Sequence, residues 1–224
     1  RAAAAWREVA RRIAHEIKNP LTPIQLSAQR LRKKYMDRFE ADGKIFDECT
    51  RIIIDQTEEI KNLVSEFSNF ARMPATTPQP NDLTEVIKEA VALFTASLKD
   101  VSIEVMEKSK PPVFSLDKDQ MKRAIINIID NAIDAMSGKG SIVIEISHDQ
   151  IFNIARIEIA DTGCGIPHGA REKLFEPYFS TKKSNTGLGL SIVSTIISDH
   201  NGYIRVRDNY PRGTKFIIEL PVRM

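Results

Sequence analysis

Several things are scarce or missing in this 224-residue chain. It has two cysteines, Cys49 and Cys164, too few for a disulfide framework and too few for a zinc site. A reducing, cytosolic setting fits that count. No apolar run approaches the roughly 18 residues that a spanning helix needs. Formal net charge is only +2, from 32 basic and 30 acidic residues, so nucleic acid is not expected as a partner. No signal peptide follows Arg1, which stands where a complete chain would have Met. The chain therefore reads as a fragment of something longer, with any membrane anchor in segments upstream. No segment repeats at a solenoid period. The phosphate loop G-x-x-x-x-G-K-[ST] is absent, because Gly138-Lys139-Gly140-Ser141 lacks the upstream glycine. There is no G-x-S-x-G nucleophile elbow. His15-Glu16-Ile17-Lys18-Asn19 starts like a zinc-protease helix but carries Asn19 where the second histidine would stand.

What is present suits one or two globular domains: 42% hydrophobic and 28% charged residues. Composition shifts near residue 74. Met73-Pro74-Ala75-Thr76-Thr77-Pro78-Gln79-Pro80-Asn81-Asp82 holds three prolines and no strong apolar residue. It reads as a linker, assigned to residues 74–81. Before it, residues 1–73 look helical. Trp6, Val9, Ile13, Ile17, Leu21, Ile24, Ala28, Leu31 and Tyr35 recur every three or four residues, one stripe along a long helix. A break comes around Asp42-Gly43, and a second stripe runs from Ile45 to Phe70. Two such helices make a hairpin. A hairpin of one-sided helices cannot bury both stripes alone, so two hairpins are expected to form a dimeric four-helix bundle, making the protein a homodimer.

After the linker, residues 82–224 read as a mixed domain. Asp82 to Leu98 is a helix capped by Asp82, with Glu85 three residues on. Val101–Met106, Ser141–Ser147, Ala155–Ala160, Tyr203–Asp208 and Thr214–Leu220 read as strands. Asp117–Met136 and Leu190–His200 read as helices. This order predicts an α/β sandwich with helices over one face of a mixed sheet. The fold class is thus α+β and multidomain.

His15 lies two positions from Ile13 and two from Ile17, which turns it away from the apolar stripe. A plain surface histidine is the bland alternative. Against it stand Glu16 beside the ring and Asn19 one turn on, sharing its face. Pro20 and Pro23 follow, each removing an N–H and crowding the carbonyl four residues back. Such a costly interruption next to an exposed His-Glu pair marks a mechanical point beside a reactive group.

Four motifs occupy the second half. Asn127 and Asn131 are one turn apart, and their side-chain oxygens suit a hard cation such as Mg²⁺ that bridges phosphates. Two solvated asparagines are the bland alternative. Asp161-Thr162-Gly163-Cys164-Gly165 follows a strand; its glycines allow close ligand approach, and its aspartate would accept a hydrogen bond from an exocyclic amine such as adenine's. Thr186-Gly187-Leu188-Gly189 opens a helix and makes an anion site. Between these last two, Leu174 to Asn185 mixes aromatic and basic residues, like a mobile flap over a phosphate-bearing ligand.

Taken in order, these segments resemble the sensor histidine kinases of two-component systems. His15-Glu16-Ile17-Lys18-Asn19-Pro20-Leu21 looks like the phosphoacceptor H-box, and Asn127 to Asn131 like the N-box. Asp161-Thr162-Gly163-Cys164-Gly165 looks like the first glycine box, Phe175 to Phe179 the F-box, and Gly187-Leu188-Gly189 the second glycine box. Through Ser27, the first segment is most similar to the nitrogen-regulation (NtrY-like) kinases. One departure is Pro211-Arg212-Gly213-Thr214, where many relatives have Gly-x-Gly-Thr.

The resemblance implies a GHKL-type domain that binds ATP and Mg²⁺. Asn127 and Asn131 would hold the metal, and Asp161, Gly163, Gly165, Tyr178, Thr186, Gly187, Leu188, Gly189 and Thr214 would bind the nucleotide. Lys182 or Lys183 would add charge as the γ-phosphoryl loosens. His15 would be the phosphoacceptor and Glu16 its general base, and Asn19 would position water for a phosphatase reaction. The phosphoryl group would pass to an aspartate of a response regulator receiver domain. Surface residues near Gln25, Gln29 and Arg32 would choose that partner. Two alternatives remain at this point: an ATPase of the same superfamily without a phosphohistidine, and a dimeric scaffold with a silent nucleotide fold.

Overall fold

The computed structural model describes residues 2–35, 43–71, 75–95, 100–176, 179 and 187–223. Two units pack separately, residues 1–74 and 75–224.

The first unit is a helical hairpin of α1 (Ala2–Tyr35) and α2 (Gly43–Ala71). Arg32, Lys33 and Lys34 fill the last turn of α1, where cations meet the negative end of the helix dipole. Pro20 and Pro23 do not interrupt the helix, which runs unbroken through both. Each proline removes the N–H that would reach back four residues, to the carbonyls of Glu16 and Asn19, and both of those residues are exposed.

The seam of the hairpin differs from the expected stripe. Ala14 and Ala28 are buried on α1, and Thr50, Thr57 and Val64 on α2, at multiples of seven residues. Both threonine hydroxyls bond back to their own helix, Thr50 Oγ1 to Phe46 O at 2.7 Å and Thr57 Oγ1 to Ile53 O at 2.5 Å. Small residues thus let the helices approach, while Ile24, Leu31, Ile52 and Ile53 stay exposed on the single hairpin. Polar ties cross the seam: Gln25 Nε2 donates to Glu58 Oε2 at 2.7 Å and Lys61 Nζ to Gln25 Oε1. Arg32 pairs with Asp47 at 2.5 Å.

In the second unit a five-stranded sheet has the order β2-β4-β5-β7-β6. Its strands are β2 (Val101–Glu107), β4 (Gly140–Asp149), β5 (Ile154–Asp161), β6 (Tyr203–Asp208) and β7 (Thr214–Pro221). Only β2 and β4 run parallel; the other pairs are antiparallel. Alternation sends Ile142, Ile144 and Ile146 of β4, Ile157 and Ile159 of β5, and Ile218 of β7 to one face, all 0–1% exposed. Helices α3 (Leu83–Thr95), α4 (Lys118–Ala135) and α5 (Gly189–Asp199) cover that face with Ile87, Ile125, Ile128, Ile129 and Val193. The other face carries cross-strand ion pairs, Lys215–Glu158 at 2.9 Å and Arg156–Glu219 at 2.8 Å.

Asp82 caps α3 as expected, its Oδ1 accepting from Thr84 N at 2.9 Å. The nearby Lys110 ammonium chiefly holds the Asp82 carboxyl below its usual range.

Most of the expected linker is not a linker. Gln79–Asn81 forms β1, which pairs antiparallel with β3 (Phe114–Leu116). Upstream, Thr77 N donates to Asp117 Oδ2 at 2.9 Å, and Thr76 Oγ1 donates to Gln120 Oε1 at 3.1 Å. Ala75 onward therefore belongs to the second unit. A proline in a two-strand edge ladder is tolerated because one edge faces away from any partner.

Candidate functional site

At one end of the sheet, β5 delivers Asp161, only 2% exposed. A buried carboxylate needs donors. Asp161 Oδ1 accepts from Gly163 N at 2.8 Å and Thr214 N at 3.2 Å. The turn after Asp161 lies against the end of α4: a Cβ on Gly163 would stand 2.8 Å from Ala135 Cβ. Cys164 N donates to Ala135 O at 3.1 Å, so the same turn caps a carbonyl of α4. Thr162 Oγ1 accepts from Ser141 N at 3.1 Å, anchoring the turn to β4. Gly165 follows and faces the carbonyl of Gly213.

On α4, Asn127 and Asn131 lie together as predicted. Asn131 Nδ2 donates to Asn127 O at 2.8 Å, and Asn127 Nδ2 donates to Gly189 O at 3.3 Å. Both amide nitrogens are therefore engaged with the main chain. Next to Asn131, the Asp130 carboxyl is pushed up, by burial first and by the charge of Asp134 second. Burial also lowers the Arg123 guanidinium from its usual range.

Gly187, Leu188 and Gly189 lead into α5. Leu188 stands at the N-cap, is fully buried and offers no side-chain acceptor. Among the described residues no side chain caps the first-turn N–H groups of α5, and the helix dipole favours an anion there. The Asn127–Gly189 bond brings this terminus to the asparagine pair.

Thr214 begins β7 and is 3% exposed. The preceding Gly213 has φ +122, and a Cβ there would stand 1.9 Å from Asp161 O. The single glycine of Pro211-Arg212-Gly213-Thr214 therefore stands where the chain needs it. Asn209, which the sequence did not single out, donates its Nδ2 to Asp161 O at 2.8 Å.

Tyr178, Lys182, Lys183 and Thr186 lie outside the described residues, as does most of the expected flap. On the hairpin, His15 is in α1, but its side chain lies outside the described residues. Glu16 and Asn19 are exposed. Pro23, Ala28, Leu31 and Ile53 line an open apolar groove of about 360 Å³. Among the described residues, no cluster of three His, Cys, Asp or Glu side chains forms a metal site, and no helix is long and apolar enough to cross a membrane.

The family described as the His Kinase A (phospho-acceptor) domain matches residues 5–76. The family described as histidine kinase-, DNA gyrase B-, and HSP90-like ATPase matches residues 116–224. The chain is 40% identical to nitrogen regulation protein NtrY of Azorhizobium caulinodans, over 98% of this chain and 29% of that one. A mycobacterial sensor histidine kinase, MprB, superposes with a TM-score of 0.59 and 31% identity, over 66% of this chain and 99% of that chain. A crystal structure of histidine kinase ThkA in complex with response regulator protein TrrA superposes with a TM-score of 0.67 and 27% identity, over 96% of this chain and 61% of that chain. The chain spans between 29% and 37% of the length of the NtrY and NtrY-like relatives that it matches.

Proposed function

The chain belongs to the sensor histidine kinases, and on that premise we propose that it phosphorylates its own His15 from ATP and passes the phosphoryl group to an aspartate of a response regulator receiver domain. The observation that carries this reading is the convergence of Asp161, the asparagine pair and the N-terminus of α5 at one end of the sheet.

Asp161 accepts the adenine amine, with Gly163, Gly165 and Thr214 shaping the base pocket. Main-chain N–H groups from Gly187 to Gly189 hold the phosphates, Lys182 or Lys183 adds charge as the γ-phosphoryl loosens, and Tyr178 and Thr186 join the nucleotide contacts. The two amide oxygens of Asn127 and Asn131 are neutral and hard, which suits Mg²⁺ that keeps most of its waters and binds phosphates. When bound, that ion neutralises charge on the phosphate tail.

The neutral imidazole of His15 attacks the γ-phosphorus in line. An N–P bond forms, the bond to the β-phosphate oxygen breaks, and ADP leaves. Glu16 takes the proton from the other ring nitrogen and so keeps the ring nucleophilic. Asn19, exposed one turn on, positions water for the reverse phosphatase reaction. Exposed Ile24, Leu31, Ile52 and Ile53 pair the hairpin with a second copy in a homodimer. ATP as the donor places the reaction in the cytoplasm.

The test is autophosphorylation with γ-labelled ATP and Mg²⁺, wild type beside His15→Ala. Label that survives alkali, is lost in acid and is absent from the variant is expected. Label that persists in His15→Ala overturns the assignment of the acceptor.

A further inference from the structure

The β5–β7 ladder stops at the Ala160–Lys215 pair. The carbonyl of Asp161, one residue further, accepts from the side chain of Asn209, Nδ2 to O at 2.8 Å. The same residue donates its main-chain N–H to Gly213 O at 3.1 Å and so closes the turn between β6 and β7. That turn lies against Asp161 so closely that any side chain at Gly213 would strike the Asp161 carbonyl. Immediately past it, Thr214 N reaches the Asp161 carboxylate itself at 3.2 Å. One short turn therefore grips Asp161 twice, at its main chain through Asn209 and at its side chain through Thr214.

We propose that Asn209 is a positioning residue for base selection, holding the Asp161 main chain so that its carboxylate accepts the amine of adenine and repels the carbonyl that guanine carries in its place. This inference rests on the reading of Asp161 as the adenine contact. A carboxylate is an acceptor only, so opposite an amine it gains a hydrogen bond and opposite a carbonyl it meets another acceptor. The discrimination survives only while the carboxylate cannot rotate away. With Asn209 removed, the bond to the Asp161 carbonyl is lost, the turn loosens and the bond from Thr214 goes with it. Attraction to adenine and rejection of guanine then weaken together.

The experiment measures Kd for ADP and for GDP, and KM and kcat for ATP, in wild type, Asn209→Ala, Asn209→Asp and Asp161→Asn. Aspartate at 209 keeps the shape and loses the donor, so it reports even where the alanine variant fails to fold. The preference for ADP over GDP is expected to fall about tenfold in both Asn209 variants, the scale of one lost hydrogen bond, with kcat at saturating ATP unchanged. A purely structural role would lower melting temperature and weaken both nucleotides equally. A base preference within twofold of wild type in the folded Asn209 variants, while Asp161→Asn abolishes it, overturns the inference alone. A preference unchanged in Asp161→Asn as well overturns the adenine reading on which it rests.

Discussion

The main-chain N–H of Thr77 lies 2.9 Å from Asp117 Oδ2, forty residues later in the chain. Asp117 also caps α4 through Gln120 N at 3.0 Å, and its own N–H donates to His200 Nε2 at 2.9 Å. One carboxylate thus fastens the entering chain to the start of α4.

That carboxylate gives the second unit an acid-sensitive point. Burial raises the Asp117 carboxyl, but bonds from Thr77 and Gln120 outweigh it, leaving it below its usual 3.8. A depressed value means the stability it contributes is present above pH 3.8 and is lost as pH falls through the folded value. Asp117→Asn keeps a capping oxygen but turns an amide N–H group toward the donors of Thr77. It is expected to cost about 1–2 kcal/mol at pH 7. Urea unfolding at pH 7 should show this gap, and the gap should close at pH below the folded value.

Glu16 is proposed to remove a proton, not to bind nucleotide. Glu16→Gln should slow autophosphorylation by about 10²–10⁴-fold. Affinity for ADP should stay within twofold. Initial rates with labelled ATP, beside an ADP titration, separate the two effects.

The asparagine pair predicts a metal-dependent phenotype. Asn131→Ala should bind ADP in EDTA as wild type does, yet lose the tightening that Mg²⁺ confers. Calorimetric titrations with and without Mg²⁺ read this directly. Equal losses in both buffers would mean that Asn131 acts on the fold through Asn127 O.

Dimerisation should fail when charge enters the outer apolar surface. Ile53 is 44% exposed and lines the groove beside Leu31. Ile53→Glu removes about 2 kcal/mol of burial from each protomer, so the dimer Kd should rise about a thousandfold. Sedimentation velocity measures this, and circular dichroism checks that helix content is kept.

Gly213→Ala would place a methyl group on the Asp161 carbonyl. A loss of about 3 kcal/mol or more is expected, lowering the melting temperature of the second unit by roughly 6–12 °C. Differential scanning calorimetry is the check.

Long elements were legible in the sequence and short ones were not. The Ile-rich strands alternate cleanly, and Asp117 and Asp82 announce their helices. Gln79–Asn81 and Phe114–Leu116 are three residues each, too short to show a period, and Pro80 argued against a strand. Periodicity found the hairpin but not its seam. It ranked residues by hydrophobicity and so caught Ala28, but missed Ala14, Thr50 and Thr57, the other small residues that close approach selects. The two prolines predicted a broken helix because each removes an N–H from the helical ladder, yet α1 runs through both. At the site, Asp161, Asn127 and Asn131 stood out by their motifs, and the structure brings Asn127 to Gly189. Asn209 carried no signal, since its partner is a main-chain carbonyl forty-eight residues away.

The strand order has a consequence for how the protein is made. β7 is last in sequence but inner in the sheet, bonded to β5 on one side and β6 on the other. A ribosome adds about 5–20 residues per second from the N-terminus. Until residues 214–221 emerge, β6 has no neighbour, the inner edge of β5 stands open, and Asp161 lacks the Thr214 amide. A nascent chain therefore acquires its hairpin before its nucleotide pocket, so a translation product interrupted between the two would dimerise with full-length copies yet contribute no working ATP site.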